Sequence, residues 1–567
     1  MKVAEAVGRA LHASGVDHVF GVVGSGNFHL TNALVAAGAR FVAARHEGGA
    51  ATMADAYART TGGIAGLSVH QGPGLTNAVT GVAEAAKSRT PLLVLAAEVT
   101  RPHSNFHIDQ DALARAVGAE TARVTSAATA VEEACEAVRR ALHDRRTVVL
   151  NLPLEVQALE VPEAGMPSVV APPPPRVPVA PDPAEVAALA GELRRSRRPV
   201  FVAGRGARTP GARDALTALA DRHGALLATS AVAHGLFRDS PWSLGISGGF
   251  ASPLTAELIR GADLIVGWGC ALNMWTTRHG TLVAPGTTVI QIDDDPTAAG
   301  RHRPVHASVT GDVELTARHA LAEADRDEEA GDGNAAAGGG TAGTRTSPEG
   351  YRTPATEAAL ATSVRWRDVP YEDEGDEERI DPRTLTIALD DILPAERVVG
   401  VDSGNFMGHP SAYLSVPDHQ GFCFTQAFQS IGLGLATTIG AALARPDRLP
   451  VAALGDGGFL MSAVELDTVR RLGLPMVIVV YDDESYGAEV HHFGPAGHPL
   501  DTVTFPPADL AALARGYGFD ATTVRTPADL APLRHWLTGP RTTPFLLDAK
   551  VTRDHGAWWL EEAFRGH

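Results

Sequence analysis

Apolar positions along this chain alternate between two rhythms. In AEAVGRALHASG, GGAATMADAYARTTG and GLTNAVTGVAEAAKSR they recur at helical spacing, and the small residues of the second segment predict a helix packed closely on its neighbours. Between these segments lie short continuous runs: VDHVFGVVG, GIAGLSVH and PLLVLAAEV. Runs of Val, Ile and Leu without alternation predict strands covered on both faces, so the segments from Val3 to about Leu152 read as a parallel sheet between layers of helices. The same alternation returns from about Pro183, with strands RPVFVAG, ADLIVGWG and TTVIQID, and again after Asp381, with RVVGVD, LPVAALGD, LPMVIVVYDD and TPFLLDA. The expected architecture is α/β, three doubly wound parallel-sheet domains over 1–165, 180–325 and 381–567. The first and third blocks are similar in size and pattern.

Two stretches break the rhythm. APPPPRVPVAPDP is a stiff, extended connector. Residues 326–380 contain AAAGGGTAGT and EDEGDEE and are expected to form a flexible acidic, Gly-rich linker, because such a composition buries too little apolar surface to offset its ordering entropy.

Composition adds limits. With 567 residues the chain is long enough for several domains. A net charge of −18 argues against nucleic acid as a partner. Three scattered cysteines imply neither a disulfide framework nor a zinc cluster. The charged first residues lack the apolar core of a signal peptide, and no apolar run is long enough to span a membrane, so a cytoplasmic setting without membrane partners is expected.

Candidate chemistry concentrates in GDGGFLMSAVELDTVRRLGLPMVIVVYDDESYG. Asp456 and Asp483 each end a predicted strand, and adjacent parallel strands bring such ends into one crevice. Gly455, Gly457 and Gly458 leave backbone N–H groups open to an anion. Two carboxylates and carbonyl oxygens suit Mg²⁺, which commonly bridges protein carboxylates to phosphates.

This spacing resembles the diphosphate-binding motif of thiamine-diphosphate enzymes, in the group similar to acetolactate synthases and 2-oxo acid decarboxylases. The resemblance implies a pyrimidine-binding, a central and a diphosphate-binding domain, with Asp456, Asp483 and the Ser485 carbonyl on Mg²⁺. The chain carries Asp482–Asp483 where the family usually has Asn–Asn, which puts an extra negative charge near a diphosphate. RHEGGAATMADAYAR resembles the family's first-domain frame and makes Glu47 the carboxyl that contacts the aminopyrimidine across a dimer interface, as general acid–base work. QSIGLGLATTIGAALARPDR resembles the stretch beneath the cofactor, with Ile431 forcing its bent shape and the Gln429 carbonyl facing its amino group. Gly404, Asn405, Tyr486 and Gly487 are assigned to cofactor binding on the same resemblance.

Where acetolactate synthases carry an Arg in the middle domain, a Trp after the metal turn and a Lys in the first domain, this chain has Ala271, His492 and Leu154. In their place stand acid–base groups. His70 falls where benzoylformate-decarboxylase-like enzymes carry a catalytic His, and Glu489 where pyruvate-decarboxylase-like enzymes carry a catalytic Glu. His29, His491 and His492 are expected to approach the same pocket. The implied activity is thiamine-diphosphate- and Mg²⁺-dependent lyase or carboligase chemistry on a small-molecule 2-oxo acid or other carbonyl substrate. The alternatives are acetolactate formation from pyruvate and a silent cofactor-binding regulatory chain. FAD is not expected, since an RFDDR-like run is absent, and IQIDDD is read as structural rather than nucleotide-binding. The C-terminal Trp558–Trp559 segment is read either as a lid or as a subunit contact. A homodimer or homotetramer is expected, with the site between subunits.

Overall fold

The computed structural model describes residues 1–162, 170–335 and 350–560. Eighteen strands form three six-stranded sheets, and every pairing within them is parallel. The first sheet holds β1 (His18–Gly21), β2 (Arg40–Ala43), β3 (Ala65–Val69), β4 (Leu92–Glu98), β5 (Glu120–Arg123) and β6 (Thr147–Pro153). The second holds β7 (Pro199–Ala203), β8 (Leu226–Thr229), β9 (Ser243–Ile246), β10 (Leu264–Trp268), β11 (Thr288–Asp293) and β12 (Ala307–Thr310). The third holds β13 (Arg397–Val401), β14 (Phe422–Phe424), β15 (Leu449–Gly455), β16 (Val477–Asp482), β17 (Asp520–Val524) and β18 (Phe545–Lys550).

The order in the first sheet is β2-β1-β3-β4-β6-β5, and the third repeats it as β14-β13-β15-β16-β18-β17. The middle sheet differs, running β12-β11-β10-β7-β8-β9. Each has a switch point where neighbouring strands send the chain in opposite directions across the sheet: between β1 and β3, β7 and β10, and β13 and β15. Crevices at such switch points are where open α/β sheets bind ligands.

The central strands β3, β4, β7 and β16 are buried at every position, as continuous apolar runs require. Outer domains meet through two small-residue helices, Glu47–Thr61 and Gly434–Ala444. There a Cβ on Gly440 would lie 2.2 Å from the Met53 carbonyl oxygen, so only glycine permits the approach. Arg59 crosses this joint, its guanidinium bound to Asp55, Glu84 and the Phe424 carbonyl.

The 326–380 region departs from expectation. The helix Val313–Ala335 runs into it, Pro354–Ser363 is a second helix capped by Thr353, and residues 336–349 lie outside the described residues. The average composition hides a few anchors. Leu360 is buried in the middle domain's core, the Tyr351 hydroxyl donates to the Leu258 carbonyl, Arg352 stacks on Trp242, and the Trp366 indole donates to the Phe250 carbonyl at 2.8 Å. These contacts tie residues 350–368 to the middle domain. No helix among the described residues is long and apolar enough to cross a membrane.

Candidate functional site

β15 and β16 pair in register with Gly455 opposite Tyr481, which leaves Asp456 and Asp483 at neighbouring strand ends beside the β13–β15 switch point. Both carboxylates are buried. Burial and the charge of Asp483 push the Asp456 carboxyl up, and burial raises Asp483 as well. Two desolvated acids that repel one another are relieved by a cation, and this arrangement therefore fits a divalent metal. Among the described residues no cluster of three or more His, Cys, Asp or Glu side chains could hold one, so any remaining ligands must be carbonyl, water or phosphate oxygens.

The turn after Asp483 is built by hydrogen bonds. Asp483 accepts from the Ser485 N–H at 3.2 Å and its hydroxyl at 3.1 Å, and also from the Asn405 side chain. Glu484 takes a left-handed φ of +58° and its carboxylate is held by Arg379 and Arg553 at 2.7 and 2.6 Å. Asp482, the additional acid, points away from the crevice. It is buried, ion-paired to Lys550 and accepts from the Glu484 N–H at 3.1 Å. The ion pair offsets part of its charge, which still raises the carboxyls of Asp456 and Asp483.

The glycines surround this pair closely. A Cβ on Gly487 would lie 2.3 Å from Asp483 Oδ2, on Gly458 2.3 Å from Asp402 Oδ2, and on Gly457 2.6 Å from the Tyr486 ring. Asp402 organises the facing loop, accepting from the N–H groups of Ser403, Gly432 and Leu433. On that loop Gln429 holds a left-handed φ of +61°, an uncommon conformation for a non-glycine residue. A cavity of about 1370 Å³ opens here. Its lining brings together Gly404, Asn405, Gln429, Ile431, Gly455, Asp456, Gly457, Gly458, Asp483, Ser485, Tyr486, Gly487, Glu489 and His492.

Glu489 and His492 reach the cavity from the helix Gly487–Phe493, one helical turn apart. His491 does not line it; a Cβ on Gly556 would lie 3.0 Å from the Cβ of His491, so this side packs against the C-terminal segment. Ala271 lines the cavity as well, and with it Asn273, Met274 and Trp275. Trp275 stacks on Phe250 with centroids 6.4 Å apart, giving this wall an aromatic character that sequence reasoning missed.

Glu47, His70 and His29 are elsewhere in the chain, at the β1–β3 switch point of the first sheet, and none of them lines the cavity within one chain. His29 is exposed on the helix Phe28–Ala37. His70 Nδ1 accepts from the Gly26 N–H at 3.3 Å, its ring meets Phe106 edge-on, and burial lowers its pKa against the opposing charge of Glu47. Glu47 is buried at the start of its helix and accepts from Asn77 Nδ2 at 3.1 Å. Glu465 fixes this junction from the third domain, accepting from the N–H groups of Arg45 and His46 at 3.0 Å each. Neighbouring Gln71 has a buried Oε1 without a partner. Gln71 and Asn77 lie in the run HQGPGLTN, which resembles the family's first-domain GPG-TN segment, whereas Glu465 joins the site only through folding and no local signal marks it.

The acids of IQIDDD serve as ties between domains. Asp294 pairs with Arg145 and Arg176, Asp295 pairs with Arg89, and Asp293 accepts from the Asp295 N–H. The C-terminal segment folds onto its own chain. Trp559 is fully buried among His409 and Phe250, the Ala557 N–H donates to Asn405 Oδ1 at 3.2 Å, and Leu560 lines the cavity.

Three family models match the chain in order: the N-terminal TPP binding domain of thiamine pyrophosphate enzymes over residues 1–118, their central domain over 186–320, and their C-terminal TPP binding domain over 402–549. Among similar proteins is a sulfoacetaldehyde acetyltransferase of Rhodobacter capsulatus, 29% identical over 86% of this chain and 83% of its own. A Pseudomonas aeruginosa protein named "Probable 2-ketoarginine decarboxylase AruI" is 30% identical over 93% and 90%. An acetolactate synthase large subunit of Parasynechococcus marenigrum is 27% identical over 97% and 87%.

Proposed function

The chain belongs to the thiamine pyrophosphate enzymes, and from that premise we propose that it is a Mg²⁺-dependent enzyme that decarboxylates a 2-oxo acid and releases an aldehyde or passes the acyl unit to a carbonyl acceptor. The observation that carries this reading is the meeting of Asp456 and Asp483 with Glu489 and His492 around one cavity. When bound, thiamine diphosphate supplies the carbanion stabilisation. Asp456, Asp483 and the Ser485 carbonyl would hold the metal, while Gly457, Gly458 and Gly487 keep the approach to the diphosphate free of side chains. Glu489 and His492, both on the cavity wall, would exchange protons with the substrate's oxygen and carbon. Trp275, Phe250 and Met274 give the substrate an apolar wall in place of a cationic clamp, which disfavours acetolactate formation.

Glu47 and His70 complete the site from a second subunit. Two observations support this assembly: they stand apart from the cavity in one chain, and exposed apolar side chains flank both places. These are Leu460, Met461 and Val464 after the Asp456 turn, and Val23, Phe28 and Phe106 near His70.

The test is incubation with thiamine diphosphate, Mg²⁺ and pyruvate, then larger 2-oxo acids, measuring CO₂ and identifying the product. CO₂ with an aldehyde or acyloin is expected, with Glu47→Gln reducing turnover at least 100-fold. Acetolactate as the main product, or unchanged turnover in Glu47→Gln, would overturn the respective assignment.

A further inference from the structure

The turn after β16 carries three acids in a row, Asp482, Asp483 and Glu484, yet of these only Asp483 lines the cavity. Its two neighbours are bound on the outside by the chain at and beyond the end of β18. Lys550 takes Asp482, and Arg553 takes Glu484 at 2.6 Å. Glu484 has a second partner on the chain that enters the third domain. Arg379 reaches its carboxylate at 2.7 Å and also donates to the Val551 carbonyl at 3.0 Å. Entry, exit and turn lie side by side. The Ile380 N–H donates to the Lys550 carbonyl, the Thr552 N–H to the Ile380 carbonyl, and the Val551 N–H to the Asp482 carbonyl.

The backbone at Glu484 is the place where the acid run changes direction. Its φ of +58° costs an L side chain energy and persists only where the surroundings hold it. The Glu484 N–H donates to the Asp482 carboxylate at 3.1 Å, and the Glu484 carbonyl accepts from the Phe505 N–H at 2.9 Å. Glycine would take this φ freely, so the glutamate is explained by its partners rather than by the turn. Its carboxylate is buried, where a charge needs a counter-charge to be tolerated. Neither Glu484 nor Arg379 nor Arg553 lines the cavity, so their action on the site is indirect.

We propose that Glu484 is a positioning residue for the metal turn. Its clamp between Arg379 and Arg553 fixes the register of the acid run, so that the Asp483 carboxylate and the Ser485 carbonyl, and not their neighbours, serve the cavity. This rests on the assignment of a divalent metal to Asp456 and Asp483.

Positioning and plain electrostatics give opposite signs for one substitution. Arg379→Gln removes a positive charge, which by Coulomb attraction alone should tighten cation binding. Acting through Glu484, it should weaken binding instead. The measurement is titration of the full-length protein with Mn²⁺ in the presence of thiamine diphosphate, with free Mn²⁺ read by electron paramagnetic resonance. Affinity is expected to fall at least fivefold in Arg379→Gln and in Glu484→Gly, to fall less in Arg553→Gln, and to be partly restored in Arg379→Lys. Arg379→Gln leaves Arg553 paired with Glu484, and Arg553 is itself half exposed, so unchanged thermal melting is expected of both variants. The metal-free protein gives a second readout: amide hydrogen exchange over residues 482–490 should accelerate at least tenfold in Arg379→Gln and Glu484→Gly. Unchanged or tighter Mn²⁺ binding in Arg379→Gln, or unchanged exchange, overturns the proposal and leaves the metal assignment standing. No saturable Mn²⁺ binding by wild type overturns that assignment, and the proposal with it.

Discussion

Lys550 offsets part of the charge that the Asp482–Asp483 pair brings. Its ammonium binds Asp482 and lies 3.1 Å from Asp548, with all three side chains buried. Lys550→Met strands two acids in the interior, and loss of one partner of a buried pair costs about 3–5 kcal/mol; urea unfolding should show a shift of that size. Asp482→Asn removes a negative charge that acts on Asp456 and Asp483 from outside the cavity and should weaken Mg²⁺ binding by less than about tenfold, which titration monitored by tryptophan fluorescence would check. Asp456 and Asp483 were legible because a strand end places its next residue in the crevice whatever the rest of the fold does. Lys550, Glu465 and Trp275 were not, because each acts through a partner brought near only by tertiary packing.

The elements that sequence reasoning read best are the long apolar strands and the small-residue helices, whose period and composition leave little choice. It did worst at 350–368, a stretch with one glycine and two acids that was read together with the Gly-rich and acidic runs on either side, so its four anchoring side chains were averaged away. One such anchor, Trp366, meets Trp558 of the C-terminal segment at 4.1 Å, and their indoles donate to the adjacent carbonyls of Phe250 and Gly249. Trp366→Ala should destabilise by about 2 kcal/mol, less than for a fully buried indole because both rings are partly exposed. Thermal unfolding would measure it. Below this pair, His409 is buried on the helix Gly408–Tyr413, and desolvation pulls its pKa down to about 3. An unfolded histidine titrates near 6.5, so between these values the unfolded chain binds the extra proton. The contribution is complete above pH 6.5 and shrinks as pH falls, by about 2 kcal/mol at pH 5. Stability should therefore drop less between pH 7 and 5 in His409→Phe than in wild type, by urea midpoints at each pH.

Across the whole molecule, the first and third sheets share one strand order, and each presents its own switch-point cluster: Glu47 with His70 in one, Asp456 with Asp483 in the other. On the proposal that two subunits complete the site, their separation within a chain makes activity concentration-dependent. Specific activity should fall on dilution in parallel with dissociation measured by sedimentation, and a fully active monomer would sink the two-subunit reading. The domain order was readable from the three apolar rhythms. The joints between domains were not, since ties such as Arg145 to Asp294 link residues far apart in sequence. The close, mutually tilted indoles of Trp366 and Trp558 have an optical consequence. Two indoles with centroids 4.1 Å apart couple and split their near- and far-ultraviolet bands, so the native protein should show an exciton couplet in circular dichroism, which replacing Trp366 reduces to the contribution of the Trp558–Trp559 pair at 4.4 Å. That signal would report, without any label, whether the C-terminal segment is docked over the cavity during turnover.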